Sequence, residues 1–202
     1  MSADTGPPLN RRELITGGVA GAASAMLVAQ SAGAAQTQAP VSVTDRLQRL
    51  IRIELLLLFS YRHVLGSSIL TPATQQRLSP FVAHEEAHIA ALEQRLRARG
   101  GAVPAGPPDE KTANRYLAHR KIGGRLGALK GDLDAVRLLL ALEQVTIGAY
   151  FVALTKLNDP DLIVLITEIM GNEAQHDAML GLSLPPFKPG SAVPYGLVQG
   201  LQ

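Results

Sequence analysis

The chain has 202 residues, 47% of them apolar and only 4% aromatic, with no cysteine and a formal net charge of +2. That length supports one domain with a proper core, packed mainly with Leu, Ile, Val and Ala, which suits helices. The composition excludes disulfides, thiolate metal sites and a cysteine nucleophile, and so small a net charge gives no ground for a nucleic-acid partner.

Residues 1–35 differ from the rest. Arg11 and Arg12 precede a stretch without a charge from Leu14 to Thr44, and small residues in an A-x-A pattern stand at Ala32, Gly33 and Ala34. This segment resembles a twin-arginine export signal, with "NRRELI" carrying Leu14 where such signals often carry Phe. The resemblance implies cleavage near Ala34 or Ala35, recognition by the twin-arginine export machinery, and a periplasmic or otherwise extracytoplasmic destination. Such systems carry proteins already folded, often with a cofactor loaded in the cytoplasm. The alternative is an N-terminal anchor or frayed helix, although the Ala/Gly-rich run is too weakly apolar for a permanent span.

After a linker at residues 36–42, the segment 43–182 reads as four long helices. The first covers about Val43 to Leu65, with Thr44 as candidate N-cap and Gly66 just past its end. The second opens at Thr71-Pro72 and ends at Gly100-Gly101, with Pro80 inside it to kink or split it. A Pro/Gly-rich connection follows, whose later part holds a short helix interrupted by Gly123, Gly124 and Gly127. It also collects Arg115, Arg120, Lys121, Arg125 and Lys130, which read as a solvated face, with an acidic partner or anionic membrane as the alternative. The third long helix runs from Asp132 to about Leu157, and the fourth opens at Asp159-Pro160 and stops before Pro185. Residues 183–202 read as an irregular C-terminal tail.

The two halves echo one another. Glu54 and Tyr61 on the first helix match Glu143 and Tyr150 on the third, each pair seven apart, and Glu85-x-x-His88 on the second matches Glu173-x-x-His176 on the fourth. Glu143 follows Glu54 by 89 residues and Glu173 follows Glu85 by 88. Two equivalent hairpins related by an approximate two-fold axis would place these groups opposite one another.

Neighbours at i±3 and i±4 share a helical residue's face. Glu54 has Leu50, Ile51, Leu57 and Leu58 there, and Glu143 has Leu139, Leu140, Thr146 and Ile147. Phe81 and Val82 precede Glu85, and Ile169 and Met170 precede Glu173. All four acids therefore lie on faces that want burial, where an unpaired carboxylate costs several kcal/mol or more. Two divalent ions would balance four carboxylates, and two neutral imidazoles would complete a donor set suited to iron or manganese, with zinc possible.

With Glu54, "EEAH" (Glu85, His88), Glu143 and "EAQH" (Glu173, His176), the chain resembles the ferritin-like superfamily. It is similar to exported bacterial ferritin-like proteins related to desiccation-associated proteins, and more distantly to rubrerythrins. The resemblance implies an all-α, antiparallel four-helix bundle with a long crossover between helices 2 and 3. It implies two metal ions bridged by Glu85 and Glu173, each bound by His88 or His176, with Glu54 and Glu143 as terminal ligands. It further implies an oxidoreductase reacting with O₂ or H₂O₂ at a dinuclear iron site, as a ferroxidase or in peroxide reduction, with an electron donor that no Cys-x-x-Cys module of this chain supplies. A dimanganese catalase-like enzyme and a non-catalytic, metal-stabilised scaffold of the envelope are the alternatives, and a homo-oligomer stays open.

Around these six residues the remaining readings are modest. Glu86 reads as a rim residue. His84 reads as a surface or packed histidine, with hydrogen bonding to a ligand as the alternative. Asp177 reads as pointing away around the helix. Tyr61 and Tyr150, about 10 Å along the axis from their own glutamates, read as closing the core with a hydroxyl at its polar edge, the alternatives being electron relay or a hydrogen bond near the site.

Overall fold

In the computed structural model, α1 (Val43–Gly66) opens at Ser42. The Ser42 hydroxyl accepts the Asp45 N–H at 3.0 Å while the Asp45 carboxylate faces the Ser42 N–H, a reciprocal cap. The cap thus lies two residues before the expected Thr44, because Ser42-x-x-Asp45 supplies both halves of the capping pair. The structure describes residues 41–185, all within the unit Pro40–Gln202. The expected export signal, nearly all of the linker and most of the C-terminal tail lie outside the described residues.

The second helix, α2 (Pro72–Arg97), starts as expected at Thr71 with Pro72 in its first turn. It is not split at Pro80. Pro80 and Gln76, whose carbonyl would have received the missing N–H, are both exposed, so water can take up the orphaned acceptor. The crossover carries α3 (Glu110–His119), capped by Asp109, and a short 3-10 turn at Leu126–Ala128. Gly127 N–H donates to Glu110 Oε1 at 3.0 Å and Leu126 N–H to Asn114 Oδ1 at 2.9 Å, which pins this turn to α3. The basic residues Arg115, Lys121, Arg125 and Lys130 are exposed, in keeping with a solvated face, whereas Arg120 is half-buried. The helix α4 (Asp132–Leu154) ends three residues before the expected Leu157, and α5 (Pro160–Leu182) opens at Asp159 as expected. The described residues are therefore all-helical, with five α-helices and no strand.

The helix α4 is long and apolar enough to cross a membrane, yet Leu138, Leu139, Leu142, Ile147 and Tyr150 are buried inside the protein, as befits a core helix. Side-chain contacts pair the long helices in descending order. Tyr61 meets Glu143 and Tyr150 meets Glu54 between α1 and α4, while Arg77 meets Ser183 and His88 meets Glu173 between α2 and α5. Asp132 accepts from the hydroxyls of Thr71 and Thr74 at 2.5 and 2.7 Å, tying the start of α4 to that of α2.

The apolar interior falls into two clusters. One contains Leu56, Leu57, Tyr61, Leu78, Phe81, Leu139 and Leu142; the other contains Leu50, Ile51, Leu92, Leu96, Tyr150, Ile166 and Ile169. The six polar residues singled out in the sequence lie where these clusters meet.

Candidate metal centre

The helical faces decide which side chains enter the interior. Leu50, Ile51, Leu57 and Leu58 around Glu54 are buried, as are Leu139, Leu140, Thr146 and Ile147 around Glu143, so each acid is carried inward with its face. Glu54, Glu85, Glu143 and Glu173 are all 0% exposed, His176 1% and His88 8%.

The structure brings all six together. His88 Nδ1 lies 2.9 Å from Glu173 Oε1, 3.5 Å from Glu85 Oε2 and 3.6 Å from Glu54 Oε2. His176 Nδ1 lies 3.1 Å from Glu85 Oε1, 3.3 Å from Glu173 Oε2 and 3.4 Å from Glu143 Oε1. Two overlapping groups could each hold a metal ion: Glu54, Glu85, His88 and Glu173, and Glu85, Glu143, Glu173 and His176. Glu85 and Glu173 belong to both, turning one oxygen toward each imidazole.

The tyrosines work across the halves. Tyr61 on α1 donates its hydroxyl to Glu143 Oε1 on α4 at 2.5 Å, and Tyr150 on α4 donates to Glu54 Oε1 on α1. They are therefore hydrogen-bond partners of the cluster rather than polar edges of the core. Burial first, and the Glu143 and Glu54 charges next, hold the two phenols well above their usual range, so both remain protonated donors.

That division leaves a defined set of donor atoms. Glu54 Oε2, Glu143 Oε2, both oxygens of Glu85 and of Glu173, His88 Nδ1 and His176 Nδ1 are buried and meet no partner in hydrogen-bonding geometry among the described residues. Buried polar atoms are otherwise almost always satisfied. Oxygen and imidazole donors so arranged could hold metal ions.

The charge balance points the same way. Burial, then repulsion from Glu173, raises the Glu54 and Glu143 carboxyls well above the carboxylate range. Burial opposes the charged form of both histidines, but contacts with the surrounding carboxylates outweigh it and push His88 up to about 12 and His176 to about 11. Burial also acts to raise Glu173, yet its contacts with the two imidazoles hold it below the usual carboxylate range. Without added cations, protons are the charge that compensates the cluster.

Glu86 is exposed and pairs with Arg62 across α1 and α2, as its rim position suggested. His84 is exposed as a residue, but its Nδ1 lies 2.9 Å from Nε2 of His176, so it supports a site histidine rather than only water. Asp177 does not point away into solvent: it is 0% exposed, and neither carboxylate oxygen has a partner in hydrogen-bonding geometry among the described residues. Burial pushes it up to about 6, with Gln144 drawing it down. The signal was present in Leu180 and Gly181, which share its face at i+3 and i+4 and are both buried.

A family model described as a ferritin-like domain matches residues 28–184. No curated protein and no solved structure matches the chain. Because the match spans most of its length, the chain belongs to the ferritin-like domain family.

Proposed function

We propose that the chain is an exported di-metal carboxylate protein, an oxidoreductase that reacts with O₂ or H₂O₂ at a dinuclear iron site in ferroxidase or peroxide-reducing chemistry. In this reading Glu54, Glu85, His88 and Glu173 would hold one ion and Glu85, Glu143, Glu173 and His176 the other, with Glu85 and Glu173 common to both. The four long helices form an antiparallel bundle, with the connection from Ala98 to Gly131 as the long crossover. The opposed order of contacts between α1 and α4 and between α2 and α5 supports that topology. The observation that carries the reading is the set of eight buried, unpartnered donor atoms dividing around two shared glutamates.

When bound, two iron ions would supply reversible electron storage for O₂ or peroxide. The chain's own residues hold and shape the site. Tyr61 and Tyr150 each fix one oxygen of a terminal carboxylate, Glu143 Oε1 and Glu54 Oε1, and leave the other oxygen of each without a hydrogen-bond partner among the described residues. The two apolar clusters exclude bulk water from it. The same donor set suits manganese, so a dimanganese, catalase-like enzyme is the second reading.

Elemental analysis of protein folded in the cytoplasm, beside Glu54→Ala and His176→Ala, tests the site. Near-stoichiometric Fe or Mn in the wild type, lost from both variants, is expected; three equally metal-free proteins that fold alike would overturn it. Peroxide consumption with O₂ evolution would select the manganese enzyme. A large drop in melting temperature on metal removal, with no turnover, would select a structural scaffold. Export follows from the Arg11-Arg12 segment: replacing both with Lys is expected to leave the protein in the cytoplasmic fraction, and unchanged export would remove the twin-arginine assignment.

A further inference from the structure

The two halves of the site carry the same donors in different surroundings. The His176 ring stacks on Phe81 with centroids 4.1 Å apart at 16°, and on His84 at 5.2 Å and 8°. His84 Nδ1 is 2.9 Å from His176 Nε2. The offset of 88 residues that carries Glu85 to Glu173 and His88 to His176 carries Phe81 to Ile169 and His84 to Asn172. The half built around His88 therefore has an aliphatic side chain and an amide where the other has an aromatic ring and an imidazole. Among the described residues, His88 stacks on no aromatic ring except His176 itself.

A histidine that binds a metal through one nitrogen is oriented by the partner of the other, which also sets its tautomer and raises its basicity. Removing such a partner typically costs 10- to 100-fold in metal affinity. His176 turns Nδ1 toward Glu85, Glu143 and Glu173, and with that nitrogen given to a metal its Nε2 would carry the hydrogen that faces His84. We propose that His84 is a positioning residue that makes the two metal positions unequal. Its Nδ1 accepts the Nε2–H of His176, locks that ring against Phe81, and gives the position bounded by Glu85, Glu143, Glu173 and His176 the tighter hold. This rests on the di-metal reading above. His84 belongs to α2 and His176 to α5, so the contact also joins these two helices.

The test is anaerobic titration of the full, metal-freed chain with Co(II), following heat and visible absorption together. The wild type is expected to bind two ions in two resolvable steps. His84→Ala removes ring and acceptor, His84→Phe keeps a ring without an acceptor, and His84→Asn places an amide oxygen near the position of Nδ1. The Ala and Phe variants should weaken one step by about 10- to 100-fold and leave the other within a few-fold, while Asn restores most of the loss. Circular dichroism and unfolding curves show whether each variant is folded, and the exposed position of His84 makes folding the expectation. Equal steps in the wild type, equal weakening of both steps, or no change in the Ala and Phe variants would each overturn the proposal. A wild type that binds no Co(II) would overturn the di-metal reading itself, whereas two steps indifferent to His84 would overturn only the role given to that residue.

Discussion

Glu54 gives Oε1 to Tyr150 and turns Oε2 toward His88, whereas Glu143 turns the same Oε1 toward Tyr61 and His176, and the burial of both acids makes their charge expensive in the metal-free protein. Glu54 has a folded-state pKa raised above its unfolded value, by burial and then by Glu173. Its contribution to stability is therefore present below about pH 4.5 and is lost as pH rises through the folded value. In Glu54→Gln the side chain stays neutral. The metal-free variant should be more stable than metal-free wild type at pH 8, with the gap closing toward pH 4.5. Urea unfolding across that range decides it, and a variant less stable at pH 8 would contradict the assignment of Glu54 as a buried, uncompensated acid. Asp177, pushed up to about 6 by burial, follows the same sign: Asp177→Asn should gain up to about 3 kcal/mol above pH 6 and nothing below pH 4. The burial of Glu54, Glu85, Glu143 and Glu173 was legible in the sequence because an acid with apolar neighbours at i±3 and i±4 is carried inward with its face, and each Glu-x-x-His spacing sets an imidazole one turn from its acid. The tyrosines and His84 were not, because their partners stand on other helices, and spacing along one chain does not reveal which hydroxyl or imidazole crosses an interface.

Among the elements, α2, α4 and α5 each carry a residue that weakens the helix without an evident structural return. Pro80 is exposed and removes one backbone hydrogen bond from the interior of α2. Pro80→Ala should stabilise the protein by about 1–3 kcal/mol. Gly148 in α4 and Gly171 in α5 have open space where a Cβ would stand, so alanine at either should add about 0.5–1 kcal/mol. Gly101 is the contrast: a Cβ there would lie 2.2 Å from Leu96 Cδ1 and 2.6 Å from Thr44 Cγ2, so Gly101→Ala should destabilise. Thermal melts of the four variants give the ranking, and a destabilised Pro80→Ala would mean that its ring makes a contact worth more than the lost bond. Helix starts were readable where a cap and a proline coincide, as at Thr71-Pro72 and Asp159-Pro160. The end of α4 was less so, because Thr155, Lys156 and Leu157 are all compatible with a helix, and only the turn into α5 stops it.

At the scale of the whole molecule, the site joins four helices that are distant in sequence, so metal binding and folding share one free energy. Glu54, Glu85, Glu143 and Glu173 come from α1, α2, α4 and α5, and an ion held by them stabilises only the state in which all four helices are assembled. An ion at a free concentration 100-fold above its Kd adds about 2.7 kcal/mol, and a pair adds about twice that. For a domain of this size, chelation should lower the melting temperature by about 10–20 °C. The same assembly couples metal to protons. In the metal-free state the carboxylates hold His88 and His176 protonated up to about 12 and 11, so between pH 5 and 8 each ion must displace a proton to reach Nδ1. At least about two protons, those of the two imidazoles, should therefore leave for each pair of ions bound, with any held by Glu54 and Glu143 added to them, and affinity should rise with pH across that window. Calorimetry in buffers of different ionisation enthalpy counts them directly. Affinity that is flat from pH 5 to 8, with no proton released, would mean that the imidazoles are not the groups the metal displaces, and the assignment of Nδ1 as ligand atom on both histidines would fall with it.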